Sequence, residues 1–149
     1  ILVLREAVPP GAVPGAVRKT TAADLDLVVR WLQGFYMDIF GEARDPAEIR
    51  KAQGERVNNG QYYLFETPQG QAVSMAAVFR DLPHGSTPPE HRGKGYCQNT
   101  VAAICQEKLA AGKGYCTLFV NKKNPISNRV YKKIGFTVQE GCCEYHRPT

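Results

Sequence analysis

Arg92-Gly93-Lys94-Gly95-Tyr96-Cys97 sets two glycines and two cations directly ahead of a helical apolar pattern. Cys97, Val101, Ile104, Cys105 and Leu109 recur at helical spacing, and Gly112 and Gly114 close the segment. The order is glycine turn, then long helix. Such a junction leaves backbone N–H groups unpaired at a helix N-terminus, where the helix dipole also favours negative charge. Gly93 and Gly95 let the backbone approach a ligand with no Cβ in the way, while Arg92 and Lys94 add fixed positive charge. The stretch reads as a phosphate-binding loop; the competing reading of Arg92 and Lys94 is solvated surface charge.

Two nucleotide motifs can be tested against it. A Walker A loop needs a glycine where Pro88 stands and Ser or Thr where Gly95 stands, and a dinucleotide fingerprint needs a third glycine where Gln98 stands. Both fail.

Working outward from the loop, Tyr115 to Val120 is aromatic and β-branched and predicts a buried strand. Asn124-Pro125 predicts the cap of a short helix ending at Gly135, with Phe136 to Tyr145 as a last strand or strand pair. On the N-terminal side, Tyr62 to Phe65, the turn Thr67-Pro68-Gln69-Gly70, and Ala72 to Phe79 predict a hairpin. A capping pattern at Thr21 to Asp24 predicts a helix with Leu25, Val28, Val29, Leu32 and Tyr36 on one face; Asp45-Pro46-Ala47-Glu48 predicts a second, stopped by Gly60. Residues 1–15 read as a strand-like piece and a proline-rich linker, the end of a missing lobe on one reading, with the core expected to begin at residue 16. The fold class expected is α/β: a single mixed, mostly antiparallel sheet with helices on both faces.

With the nucleotide motifs excluded, the loop resembles the acyl-CoA loop of the GNAT superfamily, whose pattern is Gln or Arg, two variable residues, Gly, one variable residue, then Gly or Ala. Arg92, Gly95 and Cys97 stand at the marked positions, with Cys97 departing from the last. Asn124-Pro125-Ile126-Ser127-Asn128-Arg129-Val130-Tyr131 is similar to the superfamily's second CoA-contacting segment. The resemblance implies acetyl-CoA as cosubstrate, no metal, and transfer of the acetyl group to a primary amine of a small molecule, amino acid or peptide by direct attack in a ternary complex. It implies Arg92, Gly93, Lys94, Gly95, Tyr96, Cys97, Asn124, Ser127 and Asn128 as cofactor contacts and Tyr131 as the acid that protonates the leaving thiolate. Asn124 also reads as a helix cap, and Tyr131, in register with Ile134, as core packing. Phe35, Tyr36 and Phe40 are the expected substrate-binding residues. Glu90, His91, His84 and Glu144 are candidate bases without a motif to fix a role.

One departure stands out. Superfamily members carry a strand immediately before the loop, but Arg80 to Thr87 offers Leu82 alone as a large apolar residue, with Pro83 and Gly85 inside. No strand is expected there, and a stretch omitted near His84 to Ser86 is the preferred account.

A chain of 149 residues with 43% hydrophobic and 22% charged residues has the composition of one folded domain. Its apolar runs are too short for a membrane span. Five cysteines without a framework spacing favour a reducing, cytoplasmic setting. The charge of +5 suits an anionic ligand, but its scatter along the chain does not point to nucleic acid. A homodimer is allowed. A non-catalytic acyl-CoA-binding regulatory module is the competing function.

Overall fold

Alternation along one central hairpin decides which side of the sheet each helix takes. The computed structural model describes residues 1–79, 82–120 and 124–139. In chain order the elements are β1 (Leu2–Leu4), β2 (Ala16–Lys19), α1 (Leu25–Phe40), α2 (Pro46–Asn58), β3 (Tyr62–Glu66), β4 (Ala72–Phe79), β5 (Leu82–Ser86), α3 (Tyr96–Ala110), β6 (Cys116–Leu118), α4 (Pro125–Ile134) and β7 (Thr137–Val138). The hairpin pairs Tyr62 with Ala77 and Leu64 with Met75, and these four pack with Val28, Val29 and Leu32 of α1 and Ile49 and Val57 of α2. Tyr63 and Ala76, one residue along, point to the opposite face and join Val101, Ile104 and Cys105 of α3 and Ile134 of α4. Helices therefore cover both faces, as expected.

The described strands pair antiparallel and part into two sheets, one in the order β2-β3-β4-β5 and the other β6-β1-β7. β1 occupies the middle of the smaller sheet, with Leu2 opposite both Leu118 and Val138. Leu2 and Leu4 are fully buried, so the core does not wait for residue 16. β2, a four-residue edge strand opposite β3, was not expected from the sequence; four residues of weak alternation give little pattern to read.

The strand before the glycine loop is present, which corrects the expectation drawn from Arg80 to Thr87. β5 pairs along β4 from Phe79↔Leu82 to Met75↔Ser86, with Pro83 opposite Val78 and Gly85 opposite Ala76. Proline and glycine are tolerated because β5 is the edge of its sheet: the side lacking a proline N–H need not donate to a further strand.

At the start of α1 the predicted cap is built, with Asp24 Oδ2 accepting from the Thr21 backbone N–H at 2.8 Å. A 3₁₀ turn at Ala22–Asp24 precedes the helix. The same carboxylate takes both arms of Arg18 at 2.8 Å, and Arg18 Nε also donates to Glu66 at 2.8 Å. The Arg18 hydrogen bonds hold the Asp24 carboxyl below its usual range despite burial. A depressed folded value gives stability that is present above the unfolded pKa, about 3.9, and lost as pH falls through the folded one. Asp24→Ala is therefore expected to cost about 1–3 kcal/mol at pH 7. In urea titrations the gap to the parent should narrow at pH 3.

Candidate active site

The glycine loop is shaped by two backbone positions that only glycine enters freely. A 3₁₀ turn at Pro89–His91 leads into Arg92, and Gly93 and Gly95 follow at φ 77° and 82°, both left-handed. Gly95 is the N-cap of α3. A Cβ at Gly93 would meet nothing within 4 Å, so open space lies beside the backbone where the loop turns. At Gly95 a Cβ would sit 3.3 Å from Val13 Cγ2. The proline-rich linker thus runs across the mouth of the loop, and Asn99 Nδ2 fastens it by donating to Gly11 O at 3.3 Å as well as to Gly95 O at 2.9 Å. The first-turn amides of α3 face the same mouth with no intrahelical acceptor. Their dipole end, the two glycines and exposed Lys94 form a cradle suited to a pyrophosphate.

Gly95→Ala is expected to store about 1–2 kcal/mol of left-handed strain and to push on Val13, weakening CoA binding. Calorimetry with CoA measures this; Gly112→Ala, whose Cβ meets nothing within 4 Å, carries the same kind of φ away from the loop and is the control.

Arg92 does not point into the cradle. Its Nε donates to Thr87 O at 2.8 Å and its Nη2 to Asp38 Oδ2 at 2.6 Å, which ties the loop to the last turn of α1. Tyr96 stacks against Phe65 of β3 with centroids 5.3 Å apart, fixing the start of α3 on the sheet. Cys97 is half-buried among core residues; burial pushes its thiol up to about 11, so it is a neutral packing group rather than a nucleophile.

α4 starts as its sequence predicts. Asn124 Oδ1 accepts from the Ser127 N–H at 3.1 Å, and Asn128 Nδ2 donates to Asn124 O at 2.6 Å, so Asn124 and Asn128 serve the helix cap. Asn128, Arg129, Lys132 and Lys133 line an open basic groove along α4. Tyr131 packs inward against Phe136 with ring centroids 6.0 Å apart and joins the core cluster that includes Cys97 and Cys105. Burial first, then the neighbouring Cys97 and Cys105, raises its hydroxyl above the usual tyrosine range. A tyrosine held protonated is in the state a general acid requires. Cys97, one of the neighbours of Tyr131, follows the last glycine of the loop by two residues.

Phe35, Tyr36 and Phe40 come together at the end of α1, with centroid separations of 5.9, 6.4 and 6.1 Å. Met37, Ile39 and Phe40 are exposed there, and Asp38 stands among them. Sequence reasoning missed Asp38, whose pairing with Arg92 spans 54 positions and leaves no local signal. It also missed Gly11 and Val13. Of the candidate bases, Glu90 and His91 lie on the 3₁₀ turn before the loop, while Glu144 and the side chain of His84 lie outside the described residues.

Residues 81–145, just under half of the chain, match the family model of FR47-like proteins. No curated protein matches the chain. Among solved structures, it is similar to a GCN5-related N-acetyltransferase from Ralstonia eutropha at TM-score 0.65 and 15% identity, covering 89% of this chain and 98% of that one. It is also similar to the spermidine N-acetyltransferase of Vibrio cholerae in complex with CoA and spermine, at TM-score 0.69 and 17% identity over 85% and 82% of the two chains. A predicted acetyltransferase with acetyl-CoA from Clostridium acetobutylicum matches at TM-score 0.65 and 18% identity over 89% and 96%. The chain is a GNAT-fold protein with an FR47-like segment running from the strand before its glycine loop to beyond Tyr131.

Proposed function

We propose that the chain transfers an acetyl group from acetyl-CoA to a primary amine of a small molecule, amino acid or peptide, by direct attack in a ternary complex. The observation that carries this reading is a half-buried Tyr131, held protonated, beside Cys97 in the first turn of α3, directly after the glycine loop. The residues fit CoA: open space at Gly93, first-turn amides of α3 for the pyrophosphate, and the basic face of α4 for further phosphate. Acetyl-CoA supplies the activated acyl group as a thioester. Tyr131 holds a proton for a departing sulfur, and its surroundings keep the hydroxyl in the acid form at neutral pH.

An amine class of substrate is supported by the Vibrio cholerae structure, which holds CoA and spermine. No described helix is long and apolar enough to cross a membrane.

Thiol release from acetyl-CoA across a panel of primary amines tests the proposal. Amine-dependent release above the rate of thioester hydrolysis is expected. Tight CoA binding with no release for any amine would replace it with the non-catalytic acyl-CoA-binding reading.

A further inference from the structure

The ion pair between Arg92 and Asp38 joins two parts of the molecule that the proposed function uses separately. Arg92 belongs to the glycine loop, and Asp38 belongs to the last turn of α1 among Phe35, Tyr36 and Phe40. The guanidinium is occupied on two sides, by Thr87 O at 2.8 Å and by Asp38 Oδ2 at 2.6 Å. Both side chains of the pair are about half exposed, 53% and 43%, so water competes for them and the pair is weak enough to exchange. A pyrophosphate arriving in the cradle offers Arg92 charge-assisted, bidentate bonds stronger than one exposed carboxylate contact. When Arg92 turns to it, Asp38 is left as a carboxylate without this cation, in a patch of aromatic rings.

That patch already accepts positive charge. The guanidinium of Arg44 lies 5.0 Å from the centroid of the Tyr36 ring, and the exposed Met37, Ile39 and Phe40 offer apolar surface beside it. A carboxylate with aromatic faces around it binds an ammonium group carried on a methylene chain. That ammonium cannot be the attacking amine, because an amine attacks a thioester only when neutral. A substrate held by Asp38 must therefore carry a second, cationic nitrogen away from the reacting one.

We propose that the Arg92–Asp38 ion pair is a latch between the cofactor loop and the acceptor end of α1, which CoA opens, and that the freed Asp38 holds the distal ammonium of a diamine-class substrate. The inference rests on the proposed function for its substrate half and on geometry alone for its latch half. Linkage then requires CoA and the diamine to strengthen each other's binding by the same factor.

Calorimetric titration of CoA into the parent protein, Asp38→Asn, Arg92→Gln and the double variant tests the latch. Asp38→Asn should tighten CoA binding by about 2–5-fold, the range an exposed pair can supply. Arg92→Gln should weaken it, and adding Asp38→Asn to Arg92→Gln should then change nothing. A merely structural Asp38 would give unchanged or weaker CoA binding in Asp38→Asn, and that result overturns the latch. For the substrate half, 1,4-diaminobutane and its uncharged isostere 1,4-butanediol are titrated into CoA-saturated protein. Asp38→Asn should weaken the diamine by about tenfold and leave the diol unchanged, with Asp38→Glu restoring part of the loss. Equal effects on both ligands would overturn it. These are binding measurements, so absence of acetyl transfer would defeat the proposed function while leaving both results readable.

Discussion

Tyr131→Phe is expected to lower kcat for acetyl transfer by about 10²–10³-fold, the contribution typical of a positioned general acid. The substitution removes a hydroxyl and leaves the ring on Phe136, 6.0 Å away, so the core and CoA affinity should be nearly unchanged. Measuring kcat beside a CoA titration separates chemistry from binding. A loss below about threefold would mean that Tyr131 serves packing alone. The pH profile gives an independent reading. Burial raises the hydroxyl above the usual value near 10, so the acid form persists through neutral pH and its loss appears only on the far alkaline side. A limb attributable to Tyr131 near or below neutrality would contradict that environment.

Leu4→Ala is the second large effect, and it acts on stability. Leu4 is wholly buried, sits opposite Cys116 in the ladder, and lies within the cluster that contains Ile134 and Phe136. Its Cδ1 lies 3.2 Å from where a Cβ on Gly135 would stand, so Leu4 packs directly on that glycine's backbone. Truncation should cost about 2–5 kcal/mol, a large share of the 5–15 kcal/mol that a domain of this kind has. Urea unfolding followed by circular dichroism measures the loss. Val3→Ala, on the half-buried face of the same strand, should cost distinctly less, and equal losses would show that the strand rather than its inward side chain is what matters.

The contrast between these residues shows what the sequence could and could not reveal. Helices with a cap and an apolar stripe were legible: Asp45-Pro46 opens α2, Asn124-Pro125 opens α4, and the glycines at 95 and 135 bound α3 and α4 where the pattern placed them. The turn of the glycine loop into α3 and the place of Tyr131 on α4 were legible because motif and periodicity agree over a short span. β5 was not, because a strand is recognised by its side chains, and an edge strand with Pro83 and Gly85 owes its place to backbone pairing with β4. The division into two sheets was equally hidden, since nothing in Leu2–Leu4 says that its partners lie at Cys116–Leu118 and Thr137–Val138. Asp38 was hidden for the same reason: one carboxylate on a helix face is ordinary until the fold brings Arg92 to it.

The central place of β1 also bears on how the chain is made. Leu2–Leu4 leaves the ribosome before the other described elements, yet its two neighbours are the strands at 116–118 and 137–138, more than a hundred residues later. The hairpin of β3 and β4 with α1 and α2 can assemble from local contacts while synthesis continues. The smaller sheet cannot close until residue 138 is out, so the apolar strand Leu2–Leu4 waits unpaired while the intervening residues are made. Contacts of such long separation slow folding and leave a sticky edge exposed in the interval. Arg5, Glu6 and the prolines at 9, 10 and 14 follow that strand directly, and charge and proline are the residue types that discourage a waiting strand from pairing with the wrong neighbour.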